Sequence, residues 1–114
     1  MQAVRVQTQA QVRAVLADEA VIEGDVETLP IELDAIPGAV WQTELRDLMP
    51  PDVRVSLFER GARKCALLRF PRGATEQALR AFEQALQLAN QVSHEVHAAA
   101  QSARQARERA ERVD

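Results

Sequence analysis

The spacing of apolar residues changes three times along this chain. In the first stretch Val4, Val6, Thr8, Ala10, Val12, Ala14 and Leu16 fall on one parity. Arg5, Gln7, Gln9, Gln11 and Arg13 fall on the other, and only Val15 breaks the alternation. A period of two predicts a half-buried strand, bent or broken near Gln9, over the competing reading of a helix that Gln, Ala and Arg would favour. Asp18-Glu19 predicts a turn. Residues 20–29 predict the return strand, with Val21, Ile22 and Val26 set against a polar face of Glu23, Asp25 and Glu27. Antiparallel pairing puts those acids opposite Arg5, Arg13 and the glutamines, where each cross-strand pair contributes about 0.2–1 kcal/mol.

Pro30 and Pro37-Gly38 punctuate the middle of the chain. Over residues 39–49 the spacing of Val40, Trp41, Leu45 and Leu48 predicts a short amphipathic helix. Pro50-Pro51 ends it, because proline disfavours helix for the residue before it. A second hairpin follows. Val53, Val55 and Leu57 alternate with Arg54, Ser56 and Phe58, Glu59-Arg60-Gly61-Ala62 turns the chain, and the return carries Ala66, Leu68 and Phe70 on one parity. Pro71-Arg72-Gly73 breaks that strand. Thr75 reads as an N-cap, with Glu76 in the first turn where negative charge suits the helix dipole. The predicted fold class is α+β: two antiparallel β-hairpins, a short middle helix and a long final helix, in the order β-β-α-β-β-α.

The final helix is predicted over residues 75–114. Phe82, Ala85, Ala89, Val92, Val96, Ala99, Ala103, Ala106, Ala110 and Val113 recur at intervals of three and four. Before Val92 the stripe is widened by Leu79, Leu86 and Leu88, which suits packing on a sheet. After Val92 it narrows to an alanine seam. Such a helix is about 60 Å long, whereas a compact domain of this size has a radius of gyration of about 13 Å. Residues 1–91 are therefore expected to form a small α+β domain and residues 92–114 a projecting extension. The expected contacts of that extension are Val92, Val96, Ala99, Ala103, Ala106, Ala110 and Val113, packed against a second copy or another protein.

Composition supports assembly. The chain has 114 residues, one domain's worth. Aromatics are 4% and tyrosine is absent, so the core is modest, and small cores commonly gain stability by oligomerising. Cys65 is the lone cysteine, which rules out an internal disulfide. The start of the chain lacks the apolar run of a secretion signal, and no segment approaches the roughly 20 apolar residues that span a bilayer. A cytoplasmic protein without membrane contact is expected.

Charge is uneven beneath a net value of -3. Between positions 18 and 52 ten acidic residues face one basic residue, Arg46. From 54 to 72 six basic residues, Arg54, Arg60, Arg63, Lys64, Arg69 and Arg72, face Glu59 alone. Blocks of this kind mark partner surfaces or pair with each other inside one fold.

Candidate chemistry is sparse. His94 and His97 share a helical face, but no third ligand accompanies them, and they read as surface histidines. Cys65 lies beside Arg63 and Lys64, which favours its thiolate, yet no histidine is near in sequence. The four glycines are isolated, so no phosphate-binding loop is present. No catalytic, cofactor or metal site is predicted. The expected function is that of a non-enzymatic protein–protein interaction module (an adaptor, inhibitor or regulatory subunit) that forms a homodimer through its final helix. The alternative is a small dimeric nucleic-acid-binding regulatory protein using the basic hairpin 54–72. The strand order, with the middle helix as an insertion, resembles small dimeric single-strand-binding folds. Negative net charge and the scarcity of stacking aromatics count against it.

Overall fold

Residues 8–112 are described by a computed structural model. The elements are β1 (Val12–Val15), β2 (Val21–Glu23), β3 (Val26–Leu33), α1 (Ala39–Leu48), β4 (Arg54–Arg60), β5 (Arg63–Pro71) and α2 (Thr75–Arg112). A short 3-10 turn, Ala17–Glu19, separates β1 from β2. All five strands join one antiparallel sheet in the order β1-β3-β5-β4, with β2 also paired to β3. Both helices pack on one face of that sheet, in a two-layer arrangement.

This corrects the expected pair of simple hairpins. The fold is α+β, but β1 and β2 lie end to end along the same edge of β3. Val12 pairs with Leu33 and Val15 with Ile31, then Val21 with Thr28 and Glu23 with Val26. Asp18-Glu19 is therefore an interruption within an edge, not the turn of a hairpin. The turn is Gly24-Asp25, where Gly24 holds φ +60°. Gly61 holds φ +62° at the same place in the β4–β5 turn. Glycine first in a two-residue loop is the pattern of a turn that matches strand twist. The predicted pairing of Glu23, Asp25 and Glu27 with Arg13 does not occur: Glu27 lies opposite Ile22, and the register slips between Val12 and Ala14, at Arg13. Val4, Arg5 and Val6 lie outside the described residues.

Pro30, read from sequence as a break, lies inside β3. A proline in a central strand removes a ladder donor. Here the loss falls where no donor is needed. The N and C=O of one residue point to the same neighbouring strand in an antiparallel ladder, and the Pro30 carbonyl accepts from Leu16 N–H (3.0 Å) on the β1–β2 side. The Pro30 nitrogen thus faces the 3-10 interruption rather than β5.

Alternation in β3 sends Glu27, Leu29, Ile31 and Leu33 towards the helices. Ala66, Leu68 and Phe70 of β5 join them, with Val55 and Leu57 of β4 half-buried at the margin. Trp41 and Leu45 of α1 and Ala78, Phe82, Ala85, Leu86 and Ala89 of α2 close the core. Val40 and Leu48 of α1, counted with the apolar stripe, remain 44% and 39% exposed, so α1 buries a narrower face than its sequence suggests.

Thr75 is the first residue of α2 rather than its cap. The Ala78 N–H reaches the Ala74 carbonyl at 2.9 Å, and the Thr75 hydroxyl donates to Glu27 Oε2 at 2.9 Å. The buried Glu27 carboxylate consequently sits beside the helix N-terminus, where the macrodipole favours negative charge.

Candidate functional site

Three features of the surface and one internal junction bear on function. The junction fixes the geometry of the rest. Asn90 of α2 is 6% exposed and joins segments distant in sequence. Its Oδ1 accepts from Ala10 N–H (2.8 Å) and from Trp41 Nε1–H (2.8 Å). Its Nδ2 donates to the Ala10 carbonyl at 2.8 Å. One amide thereby ties the chain before β1, the centre of α1 and the middle of α2. Sequence reasoning passed over Asn90 because a polar residue on a helix reads as surface. Its signal was position, one turn beyond Leu86 in the stripe begun by Phe82.

About two turns beyond that junction α2 leaves the domain. Asn90 and Ser93 are buried, His97 is half-buried, and residues 98–110 are exposed throughout. The molecule measures 69 × 30 × 15 Å, with a radius of gyration of 17.7 Å. That exceeds the roughly 13 Å of a compact chain this long, and the helix accounts for the excess. Of the predicted contact residues, Val92 is half-buried, Val96 is 47% exposed, and Ala99, Ala103, Ala106 and Ala110 are exposed. Val113 lies outside the described residues. Leu88, counted with the broad packed stripe, is 48% exposed and sits on the same flank as Val92 and Ala99. Where α2 emerges, a groove of about 230 Å³ opens between it and the start of α1. Thr8, Val40, Val96 and His97 are among its walls.

The basic hairpin does not form one groove. Arg54 lies directly opposite Arg69, and Arg60 opposite Arg63, on the sheet face turned away from the helices. Six residues of strand, about 20 Å, separate the two pairs. Lys64 points to the helix side, opposite Glu59, and Arg72 is exposed in the turn before α2. Arg63 is also drawn into the acidic segment, contacting Glu32 at 3.5 Å and Glu19 at 3.9 Å. Arg63 is exposed in both contacts, and at 3.5–3.9 Å they contribute little to stability. Arg54 and Arg69 border a cleft of about 560 Å³ at the sheet end, which they share with Asp25 and Asp52.

Cys65 is buried on this same open face, 3% exposed, opposite Phe58 and on one cleft wall with Arg63. Burial pushes its thiol pKa up, and the nearby Glu32 carboxylate adds to the rise. Its basic neighbours in sequence do not win, so the expectation of a favoured thiolate is reversed. His94 is exposed. No three of His, Cys, Asp or Glu converge on a common point among the described residues. Nor is any described helix long and apolar enough to cross a membrane. Comparison with protein-family models, curated proteins and solved structures finds no match.

Proposed function

We propose that this chain is a non-enzymatic protein–protein interaction module, and that the outer half of α2 is what it offers a partner. The observation that carries this reading is the exposed helix from residue 98 to residue 110, continuing a stripe that starts inside the domain. Short helices are marginal in water without packing. A helix that runs on past its own core gains most from a second helix laid along it. Val96 and the groove beside Val40 supply a larger apolar foothold at its base. Further out, Ala99, Ala103, Ala106 and Ala110 permit close approach. Each buried methyl contributes about 0.8 kcal/mol, so the four alanines add about 3 kcal/mol. That magnitude suits a reversible contact. The partner helix belongs to another protein or to a second copy, and an adaptor, inhibitor or regulatory subunit fits the arrangement.

The test is a pull-down from the source organism with the full chain and with Ala103→Asp/Ala106→Asp. Both positions are exposed, so the packed domain should be undisturbed, and Ala103→Lys/Ala106→Lys, which keeps helix propensity close to native, separates a lost contact from a frayed helix. Proteins retained by the native chain should be lost from the variant, and light scattering separates a second copy from a foreign partner. Equal recovery of every partner and equal mass for both chains would overturn the reading.

Nucleic-acid binding through hairpin 54–72 is the second reading. The two arginine pairs on one open face favour it, while their separation and the engagement of Arg63 by Glu19 and Glu32 weigh against it. Anisotropy with labelled single and double strands at low salt tests it.

A further inference from the structure

The cleft of about 560 Å³ that Arg54 and Arg69 border lies at the sheet end marked by the Gly24-Asp25 turn. That volume is in the range of small-molecule sites. Part of its wall is apolar. Val26 pairs with Pro71 one row nearer the sheet end than the arginines and on the same face, and Pro51 joins them in the lining. The rest is charged. Arg54 and Arg69 lie directly opposite each other, an arrangement that like charges disfavour. Among the described residues neither guanidinium has a carboxylate within 4.0 Å, since both ion pairs belong to Arg63. Asp25 and Asp52 line the same cleft and are unpaired by the same measure.

All four charged residues spring from fixed backbone. Arg54 and Arg69 are held in the β4–β5 ladder. The Asp25 carbonyl accepts from Arg72 N–H at 2.8 Å, and Val53 N–H closes the turn at Asp52 by donating to the Pro50 carbonyl at 3.1 Å. Val53, 7% exposed, anchors that turn in the core. Two cations and two anions thus surround an apolar wall, and no described residue neutralises them at contact distance.

We propose that this cleft binds a small zwitterion with an apolar body: a short apolar peptide with free termini. The charge pattern selects that class. Two guanidiniums side by side suit a carboxylate, which accepts from both. Further negative charge on the ligand would meet Asp25 and Asp52, which disfavours a dianion or a nucleic-acid strand here. A cation alone would meet the arginines. A ligand carrying both signs satisfies all four groups, and Val26, Pro51 and Pro71 receive its apolar side chains. No described residue of α2 lines the cleft, so the site is separate from the helix offered to a protein partner.

Titration of the isotope-labelled full chain with leucyl-leucine, followed by nuclear magnetic resonance, tests the proposal. Amide signals of residues 24–26, 51–54 and 69–72 should shift together and saturate. The C-terminal amide of the dipeptide lacks the carboxylate and its N-acetyl form lacks the ammonium group; each should bind about tenfold more weakly. Arg54→Gln/Arg69→Gln should abolish binding of the dipeptide. Asp25→Asn/Asp52→Asn should weaken the dipeptide about tenfold yet strengthen the N-acetyl form, a reversal that damage to the fold would not produce. No saturable shift at these residues overturns the proposal. So does equal binding of the three peptides. Tighter binding of inorganic phosphate than of leucyl-leucine overturns it in favour of a simple anion site.

Discussion

Replacing Asn90 with alanine removes three hydrogen bonds at a single atom cluster, all at 2.8 Å. It leaves the Ala10 N–H, the Ala10 carbonyl and the Trp41 indole N–H without partners. A buried polar group deprived of its partner costs about 1–3 kcal/mol, so three give a range of about 3–9 kcal/mol. Two effects favour the lower end. Gln9 and Gln11, on either side of Ala10, are exposed, so that peptide can regain water by a small local peeling. Alanine also favours helix over asparagine by about 0.5 kcal/mol. The expected net loss is about 3 kcal/mol, a large part of the roughly 5–15 kcal/mol that holds a domain together. Urea unfolding followed by far-ultraviolet circular dichroism measures it. Trp41→Phe removes the indole donor, and a double-mutant cycle with Asn90→Ala should return a coupling of about 1 kcal/mol. A loss under about 1 kcal/mol for Asn90→Ala, or no coupling to Trp41, would refute the view that this amide fixes α1, α2 and the start of the sheet.

Thr75→Val keeps the shape of the first turn of α2 but deprives Glu27 Oε2 of its hydroxyl donor; about 1.5–3 kcal/mol should be lost in thermal or urea unfolding. Cys65 should react slowly with thiol reagents at pH 8, where an exposed thiol of ordinary pKa reacts readily, and unfolding in urea should restore normal reactivity. The same raised pKa sets a pH dependence. Its contribution is fully present below the ordinary thiol pKa of about 8.5. Above that the unfolded thiol ionises first and stability falls, until the folded thiol ionises too. The stability difference between native chain and Cys65→Ala should therefore be flat near neutral pH and shrink in alkali.

The long helix, the short one and the second hairpin were legible because each carries a single uncontested period. Ala66, Leu68 and Phe70 keep one parity although Cys65 and Leu67 are apolar on the other, and the strand they predict is the strand observed. The first half of the sheet was misread at three points. Asp18-Glu19 resembles a turn locally, and only the β3 register shows that it interrupts an edge. Pro30 looked like punctuation because the missing donor is costly in most strands; here the neighbouring interruption removes the cost, and that information is tertiary. Glu27 was placed on a polar face by its charge, yet it is buried because the Thr75 hydroxyl is 48 residues away in sequence and adjacent in space. The apolar stripe of the projecting helix was visible throughout. Asn90, which anchors the helix near the end of its packed stretch, was hidden by its polarity.

The broken edge around Pro30 has a further consequence, for growth rather than for stability. A sheet with two continuous edges can add neighbours without limit and elongate into a fibre. Among the described residues this sheet has one continuous edge, β4. Pro30 offers no N–H towards the gap at Ala17–Glu19, so β1 and β2 cannot be zipped into a single uninterrupted strand by local refolding. Strand addition is therefore blunted on the β1–β2 side, and a central-strand proline acts as a stop against growth in that direction.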